Sequence, residues 1–181
     1  ALALRLGIMN QELGIMDRID PYGGMQDLEQ KKIKAVGEAR ARFEEDYTRM
    51  LRALRFVCEL GFSIEADTME ALKVVMPRIN DKRTDVGRPV MSPLAEFVAP
   101  REVIARELLR AFYADPSGAF ELYDQSGAFE ALIPELLKMK GCPQSAEFHS
   151  EGDVWMHTKL ALRSLKTEEY KKIFSDPDPH Y

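Results

Sequence analysis

The stretch RFEEDYTRMLRALRF, residues 42–56, decides the architecture of this chain. Apolar residues recur three or four positions apart from Phe43 to Leu60, and Gly61 follows directly. This spacing predicts an amphipathic helix over residues 43–60 that ends at the glycine. Acidic residues stand at its beginning, where the helix dipole favours them, and arginines follow at intervals of about one turn.

The charges of this helix allow two interpretations. Glu45 can pair with Arg49 at i, i+4, and Asp46 can pair with Arg49 at i, i+3, each for about 0.2–0.5 kcal/mol. That describes an ordinary solvated helix surface. Together with Arg42, however, the arginines at 49, 52 and 55 form a cationic cluster that fans across the helix and suits a flexible polyanion such as a triphosphate. An Asp beside an Arg also offers an acceptor and planar donors to a nucleobase edge. Spacing alone leaves both interpretations open.

The segment before this helix is predicted to begin with two short β-strands. ALALRL and IMDRID alternate weakly, a turn is expected near Asn10, and Pro21 with Gly23 and Gly24 ends the second strand.

The remaining chain is predicted to be helical. The expected helices are a partial one over residues 25–36, broken by Gly37; one capped by Asp67 with Glu70 at N3; one beginning near Pro100; one capped by Ser117; one over residues 128–138; and one from near Gly152. Residues 80–93 are predicted to be a loop. The fold class is therefore mainly α.

Composition limits the function. The chain has 181 residues, 45% hydrophobic content and a net charge of −5, which is typical of a soluble globular protein. Any nucleic-acid partner must therefore bind a local basic patch. Two cysteines cannot form a disulfide framework, no membrane span is expected, and the predicted location is the cytoplasm. Both ends, ALALRLGIM and SDPDPHY, are expected to be cuts through a longer protein.

Three smaller features have ordinary alternatives. His149, Asp153 and His157 could approach a metal, although one structural and one exposed histidine is the simpler interpretation. The basic run at residues 31–34 could touch RNA phosphates, although a solvated surface is favoured. Cys58 lies on the apolar side of the arginine helix and is expected to be inert. Trp155 is predicted to lie in the core.

Two motifs in the first third of the chain resemble the class II (bacterial-type) tRNA nucleotidyltransferase and poly(A) polymerase family. The family carries a DP-x-GG-x-x-DL connector, found here from Asp20 to Leu28. It then carries RF-x-ED-x-x-R-x-x-R-x-x-RF, found here from Arg42 to Phe56. GAFELYDQSGAFEALIPEL resembles the downstream helices more loosely, and HSEGDVWMHTKLAL resembles the start of an HD-type domain. The chain departs from the family at Val103, where an ERI-x-x-EL element has arginine, and the HD His-Asp pair is absent from the sequence.

The resemblance implies specific roles. Asp46 and Arg49 would read the base edge of the incoming ATP or CTP, and Arg52 and Arg55 would contact the nucleotide. The family's catalytic carboxylates, which bind Mg²⁺, lie in a head that precedes an RRDFTINAL-like element, so this chain is expected to hold no catalytic residue and no metal ligand. The chain alone is therefore expected to be inactive.

The resemblance also implies a domain organisation. Residues 1–38 would be a β remnant of the nucleotidyltransferase head and a connector, 39–98 the neck with the nucleotide-recognition helix, 99–145 a helical body, and 146–181 the start of an HD-like domain. The parent would add nucleotides from ATP, with CTP left open, to an RNA 3′ end, above all the CCA end of tRNA. The alternatives are poly(A) specificity, a non-catalytic helical nucleotide- or RNA-binding module, and an HD-type phosphohydrolase. The oligomeric state is left open.

Overall fold

The computed structural model describes residues 5–9, 16–84, 86–87, 96–145 and 150–168, with the backbone alone for 5–9 and 16–19. In chain order the elements are β1 Arg5–Met9, β2 Met16–Ile19, α1 Gly24–Glu29, β3 Lys32–Ile33, α2 Ala39–Glu45, α3 Thr48–Leu60, β4 Ser63–Ile64, α4 Ala66–Val75, a 3₁₀ helix Met76–Asn80, α5 Arg101–Ala114, α6 Pro116–Gln125, α7 Ala128–Leu132, a 3₁₀ helix Pro134–Met139 and α8 Val154–Ser164.

The predicted mainly α fold with a small β segment at its start is confirmed. β1 and β2 pair antiparallel, with Arg5 opposite Ile19 and Met9 opposite Met16. The predicted turn near Asn10 and much of the predicted loop at residues 80–93 lie outside the described residues. None of the helices in the described part of the chain is both long enough and apolar enough to cross a membrane.

The partial helix predicted for residues 25–36 is wrong beyond Glu29. The chain leaves α1 through Lys31, which adopts a left-handed conformation with φ 52°, and enters β3. β3 pairs in parallel with β4, and the amide of Ser63 donates to the Lys31 carbonyl at 2.9 Å. Burial of Ile33 gives this two-residue strand its anchor, because the side chain enters the core while both neighbouring lysines stay exposed.

The single helix predicted for residues 43–60 is two helices. Asp46 is extended, with φ −152° and ψ 103°, and separates α2 from α3. Its Oδ1 accepts from the Thr48 amide at 2.9 Å and from the Thr48 hydroxyl at 2.7 Å. A short acidic side chain that binds the backbone two residues ahead competes with the continuing helix and caps the next one. Asp46 is therefore a helix cap rather than a mid-helix residue.

Two other predicted helix caps lie two residues too late. Glu65, not Asp67, accepts from the Thr68 amide at 3.1 Å at the start of α4. Asp115, not Ser117, accepts from the Gly118 amide at 2.8 Å at the start of α6.

The helix predicted for residues 128–138 ends at Leu132 because a proline follows at 134, where it cannot donate to the helix. The expected starts of α5 near Pro100 and of α8 near Gly152 are confirmed to within two residues.

The core lies along one side of α3 and continues through the C-terminal helices. Leu51 and Leu54 of α3 are completely buried, and α3 packs against α5. Phe120 of α6 packs against Trp155 of α8 with ring centroids 4.4 Å apart, and Phe129 of α7 contacts both rings. The predicted burial of Trp155 is confirmed. The opposite side of α3 is left to form the site described next.

Candidate functional site

A cavity of about 320 Å³ lies against the polar side of α3. Its floor is apolar, with Phe56 of α3 and Phe43 of α2. Four cationic side chains line it: Lys34, Arg42, Arg49 and Arg52. A concave site with an apolar floor and a few convergent charges is the usual form of a small-molecule binding site.

Glu45 organises two of these arginines. Its Oε2 accepts from the Nη1 atoms of both Arg42 and Arg49 at 2.6 Å. These hydrogen bonds, first from Arg49 and then from Arg42, hold the pKa of Glu45 below its usual value. Arg49 Nη1 also donates to the Arg42 carbonyl at 3.0 Å, so the pair bridges the break between α2 and α3. The predicted pairing of Arg49 with Glu45 is confirmed.

Arg52 differs from the other cations that line the cavity. Its side chain is exposed, and no described residue forms an ion pair or a hydrogen bond with it. Lys34, by contrast, pairs with Glu65 at 3.5 Å. A guanidinium that keeps all its donors available at a cavity wall is well placed to bind a phosphate, which accepts paired hydrogen bonds.

Asp46 lies beside this wall rather than on it. Its Oδ1 is occupied by Thr48, whereas Oδ2 lies 4.0 Å from Arg49 Nε, which confirms the predicted contact between the two side chains. The carboxylate is about 43% exposed. One oxygen therefore fixes the start of α3, and the other stands next to the guanidinium of Arg49, available to an amino group of a ligand.

Arg55 is placed differently from the other predicted site residues. Only 5% of it is exposed, and it does not line the cavity. Its Nε donates to Glu107 of α5 at 2.6 Å, its Nη1 donates to Glu59, and its guanidinium lies 4.2 Å from the ring centroid of Phe56. Burial alone would lower the pKa of Arg55, but the hydrogen bond and charge of Glu107, with the charge of Glu59, raise it. A nucleotide contact by Arg55 stays a prediction, and its Nε and Nη1 atoms already donate to carboxylates.

The sequence interpretation missed Glu107. This carboxylate lies on the buried stripe of α5, between Ile104 and Ala111 at helical spacing, and is itself 5% exposed. A charged residue on an otherwise apolar stripe is the signal that could have revealed it, because buried carboxylates almost always have a cationic partner.

Cys58, on the same helix, is expected to react slowly with alkylating agents. Burial, followed by the negative charge of Asp115, raises the pKa of its thiol to about 11. At pH 8 its thiolate fraction is then on the order of a hundredfold below that of an ordinary cysteine. Iodoacetamide labelling followed by mass spectrometry is expected to modify the exposed Cys142 and to spare Cys58 until the protein is unfolded. Equal labelling of the two cysteines in the folded protein would contradict this.

The hypothesised metal site comprises His149, Asp153 and His157, of which His149 lies outside the described residues. Asp153 caps α8 by accepting from the Met156 amide at 2.9 Å, and His157 Nδ1 lies 2.5 Å from Glu151 Oε1. Within the described ranges, three or more His, Cys, Asp or Glu side chains do not converge as a metal would require.

Comparison with known proteins finds similar sequences, although no family model matches the chain. The chain is 32% identical over 160 residues to the multifunctional CCA protein of Paracidovorax citrulli, which covers 87% of this chain and 34% of that relative. It is 36% identical over 145 residues to the multifunctional CCA protein of Xanthomonas campestris pv. campestris strain B100, which covers 78% of this chain and 31% of that relative.

A solved CCA-adding enzyme in complex with ATP shares the fold, with a TM-score of 0.50 and 21% identity over 92% of this chain and 38% of that one. The chain spans about a third of the length of the curated relatives that it matches. Over the segment that it shares with these proteins, the chain belongs to the class II tRNA nucleotidyltransferase family.

Proposed function

We propose that the protein containing this chain adds nucleotides from ATP and CTP to an RNA 3′ end, with the CCA end of tRNA as its product, and that this segment holds the incoming nucleotide. The observation that carries the proposal is the cavity beside α3. Arg49 and Arg52 line it, no described residue pairs with Arg52, and Asp46 contacts Arg49 from beside the cavity wall. The similarity to multifunctional CCA proteins supports the choice of product.

The proposed base selection follows from hydrogen-bonding chemistry. Adenine and cytosine each present an amino group next to an acceptor ring nitrogen. Asp46 Oδ2 would accept from the amino group, and Arg49 would donate to the ring nitrogen. Guanine and uracil present a carbonyl where the amino group would be, opposite a carboxylate oxygen that cannot donate. Arg52 would then bind the triphosphate, for which its free donors are suited.

The cofactor of the proposed reaction is Mg²⁺, which would stabilise charge on the triphosphate. The described residues bring together no carboxylate set of the kind that binds this ion, so we place its ligands in the head that precedes this segment. The boundaries at residues 38, 98 and 145 and the cytoplasmic location remain part of the same proposal.

Nucleotide selection by Asp46 variants of the full-length protein tests this function. The wild type is expected to incorporate ATP and CTP in preference to GTP and UTP. Asp46→Asn keeps an oxygen for the Thr48 cap, since Asn caps helices as well as Asp does, but places an NH₂ beside Arg49. It is expected to lose the preference with little change in stability. Asp46→Ala is expected to lose both the preference and about 1 kcal/mol of stability.

Asp67→Asn is the matched control, because Asp67 is an exposed aspartate in the first turn of α4 that does not line the cavity. It should leave nucleotide selection unchanged. Equal use of all four nucleotides by the wild type, with strong salt sensitivity, would instead indicate a general basic patch and refute the proposal. Sequencing of the extended RNA separates CCA addition from poly(A) addition.

A further inference from the structure

A second cavity, of about 260 Å³, adjoins the first. The two cavities share one wall, formed by residues 33–36 and Phe56. Each is near the lower limit of size for a small-molecule site. Base selection and triphosphate binding, as proposed above, use the first cavity and the adjacent Asp46, so the second cavity has no role yet.

The second cavity offers an aromatic ring and few charges. Tyr22, 57% exposed, lines it together with Asp27 and Lys32. The turn that carries Tyr22 is held firmly, because the Asp20 carboxylate accepts from the amides of Gly24 at 2.7 Å and Met25 at 2.8 Å. An exposed aromatic ring on a fixed turn is a surface on which a nucleobase can stack.

The charge balance favours a nucleotide within a strand over a triphosphate. Lys32 and Lys34 also line the cavity, but Lys34 is already paired with Glu65 at 3.5 Å. Asp27 has no cationic partner among the described residues, so its carboxylate would repel a polyphosphate. Lys32 pairs with no acidic residue in the described part of the chain, and one such lysine is adequate for the single charge of a phosphodiester.

Nucleotidyl transfer requires two nucleotides side by side. The 3′ oxygen of the acceptor forms a bond to the α-phosphorus of the incoming nucleotide, the bond from that phosphorus to the pyrophosphate breaks, and the hydroxyl proton is lost to water. Two cavities with a common wall match this requirement. Resting on the function proposed above, we propose that the second cavity binds the 3′-terminal nucleotide of the RNA acceptor, with its base stacked on Tyr22 and its phosphodiester beside Lys32.

Steady-state kinetics of the full-length protein test this assignment, with a tRNA that lacks its terminal adenosine as acceptor and ATP as donor. Tyr22→Ala is expected to raise the KM for the RNA about tenfold, the effect of losing one stacked base, while the KM for ATP changes less than about twofold. Tyr22→Phe keeps the ring and should behave as the wild type.

Tyr113→Ala is the matched control, because Tyr113 is 94% exposed on α5 and lines neither cavity. It should change neither constant. A raised KM for ATP with an unchanged KM for RNA in Tyr22→Ala would assign the second cavity to the incoming nucleotide and overturn the inference, and so would two unchanged constants. A wild-type protein that incorporates neither ATP nor CTP would refute the proposed function itself, a result distinguishable from either of these.

Discussion

Replacing Glu107 with alanine is expected to lower the free energy of unfolding by about 3 kcal/mol. Glu107 and Arg55 form an ion pair at 2.6 Å between α5 and α3, and each residue is only 5% exposed. Removing one partner of a buried pair leaves an uncompensated charge, which costs about 3–5 kcal/mol. The lower end of this range of costs applies here, because Glu59 still contacts the Arg55 guanidinium in the variant. Urea unfolding followed by circular dichroism measures the change.

The matched control is Glu70→Ala, which removes the exposed Glu70–Lys73 pair of α4 at 3.3 Å. It is expected to change stability by less than about 1 kcal/mol, as exposed ion pairs do. The double variant Arg55→Met with Glu107→Leu is expected to recover much of the loss, since apolar residues of similar volume can replace a buried pair. If Glu107→Ala costs no more than Glu70→Ala, Arg55 is not held by α5 and is free to contact a ligand.

This buried pair bears on the cavity as well as on stability. Arg55 lies one turn after Arg52 on α3, so its contact with α5 is one of the contacts that set the rotation of α3 about its axis. That rotation decides which way Arg49 and Arg52 project. Arg55 therefore helps to position the two arginines that line the cavity, and under the proposed function it would matter without touching the nucleotide itself.

Local sequence could predict that α3 is a helix. It could not predict which of its arginines lines the cavity and which is buried. Residues three apart on a helix are rotated by about 60° from one another, so positions 49, 52 and 55 span about 120°. Such a fan runs from the solvent side into the edge of the buried side. Which arginine becomes buried depends on Glu107, 52 residues later in the chain, and no local pattern contains that information.

The break at Asp46 and the strand at Lys32–Ile33 were missed for a different reason. An aspartate near the start of a helix is compatible both with the first turn and with a cap, and the choice depends on the two hydrogen bonds that Asp46 accepts from Thr48. A two-residue strand is too short to show the alternation by which strands are predicted, and its partner, Ser63–Ile64, lies beyond α3. The mainly α fold, the burial of Trp155 and the Glu45–Arg49 pair depended on local spacing and were predictable.

Arg52→Ala is expected to lower kcat/KM for ATP by about 10–100-fold in the full-length protein while leaving the free energy of unfolding within about 0.5 kcal/mol of the wild type. Hydrogen bonds from a charged donor contribute about 1.5–3 kcal/mol, and those of Arg52 would form only with the nucleotide, because no described residue uses its donors. An exposed side chain without partners contributes little to folding. Arg52→Lys keeps the charge but not the paired donors. Its kcat/KM for ATP is expected to lie between those of the wild type and Arg52→Ala.

Arg106→Ala is the matched control, because Arg106 is an exposed arginine of α5 that lines neither cavity. It should retain wild-type kinetics, which separates a specific loss at Arg52 from a general loss of positive charge. The contrast with Arg55 is the sharper test, since the two arginines are neighbours on one helix. Arg52→Ala should impair nucleotide use in a stable protein, whereas Glu107→Ala should destabilise the protein through Arg55. A loss of stability in Arg52→Ala as large as that in Glu107→Ala would mean that both arginines serve the fold, and the cavity beside α3 would lose its assigned ligand.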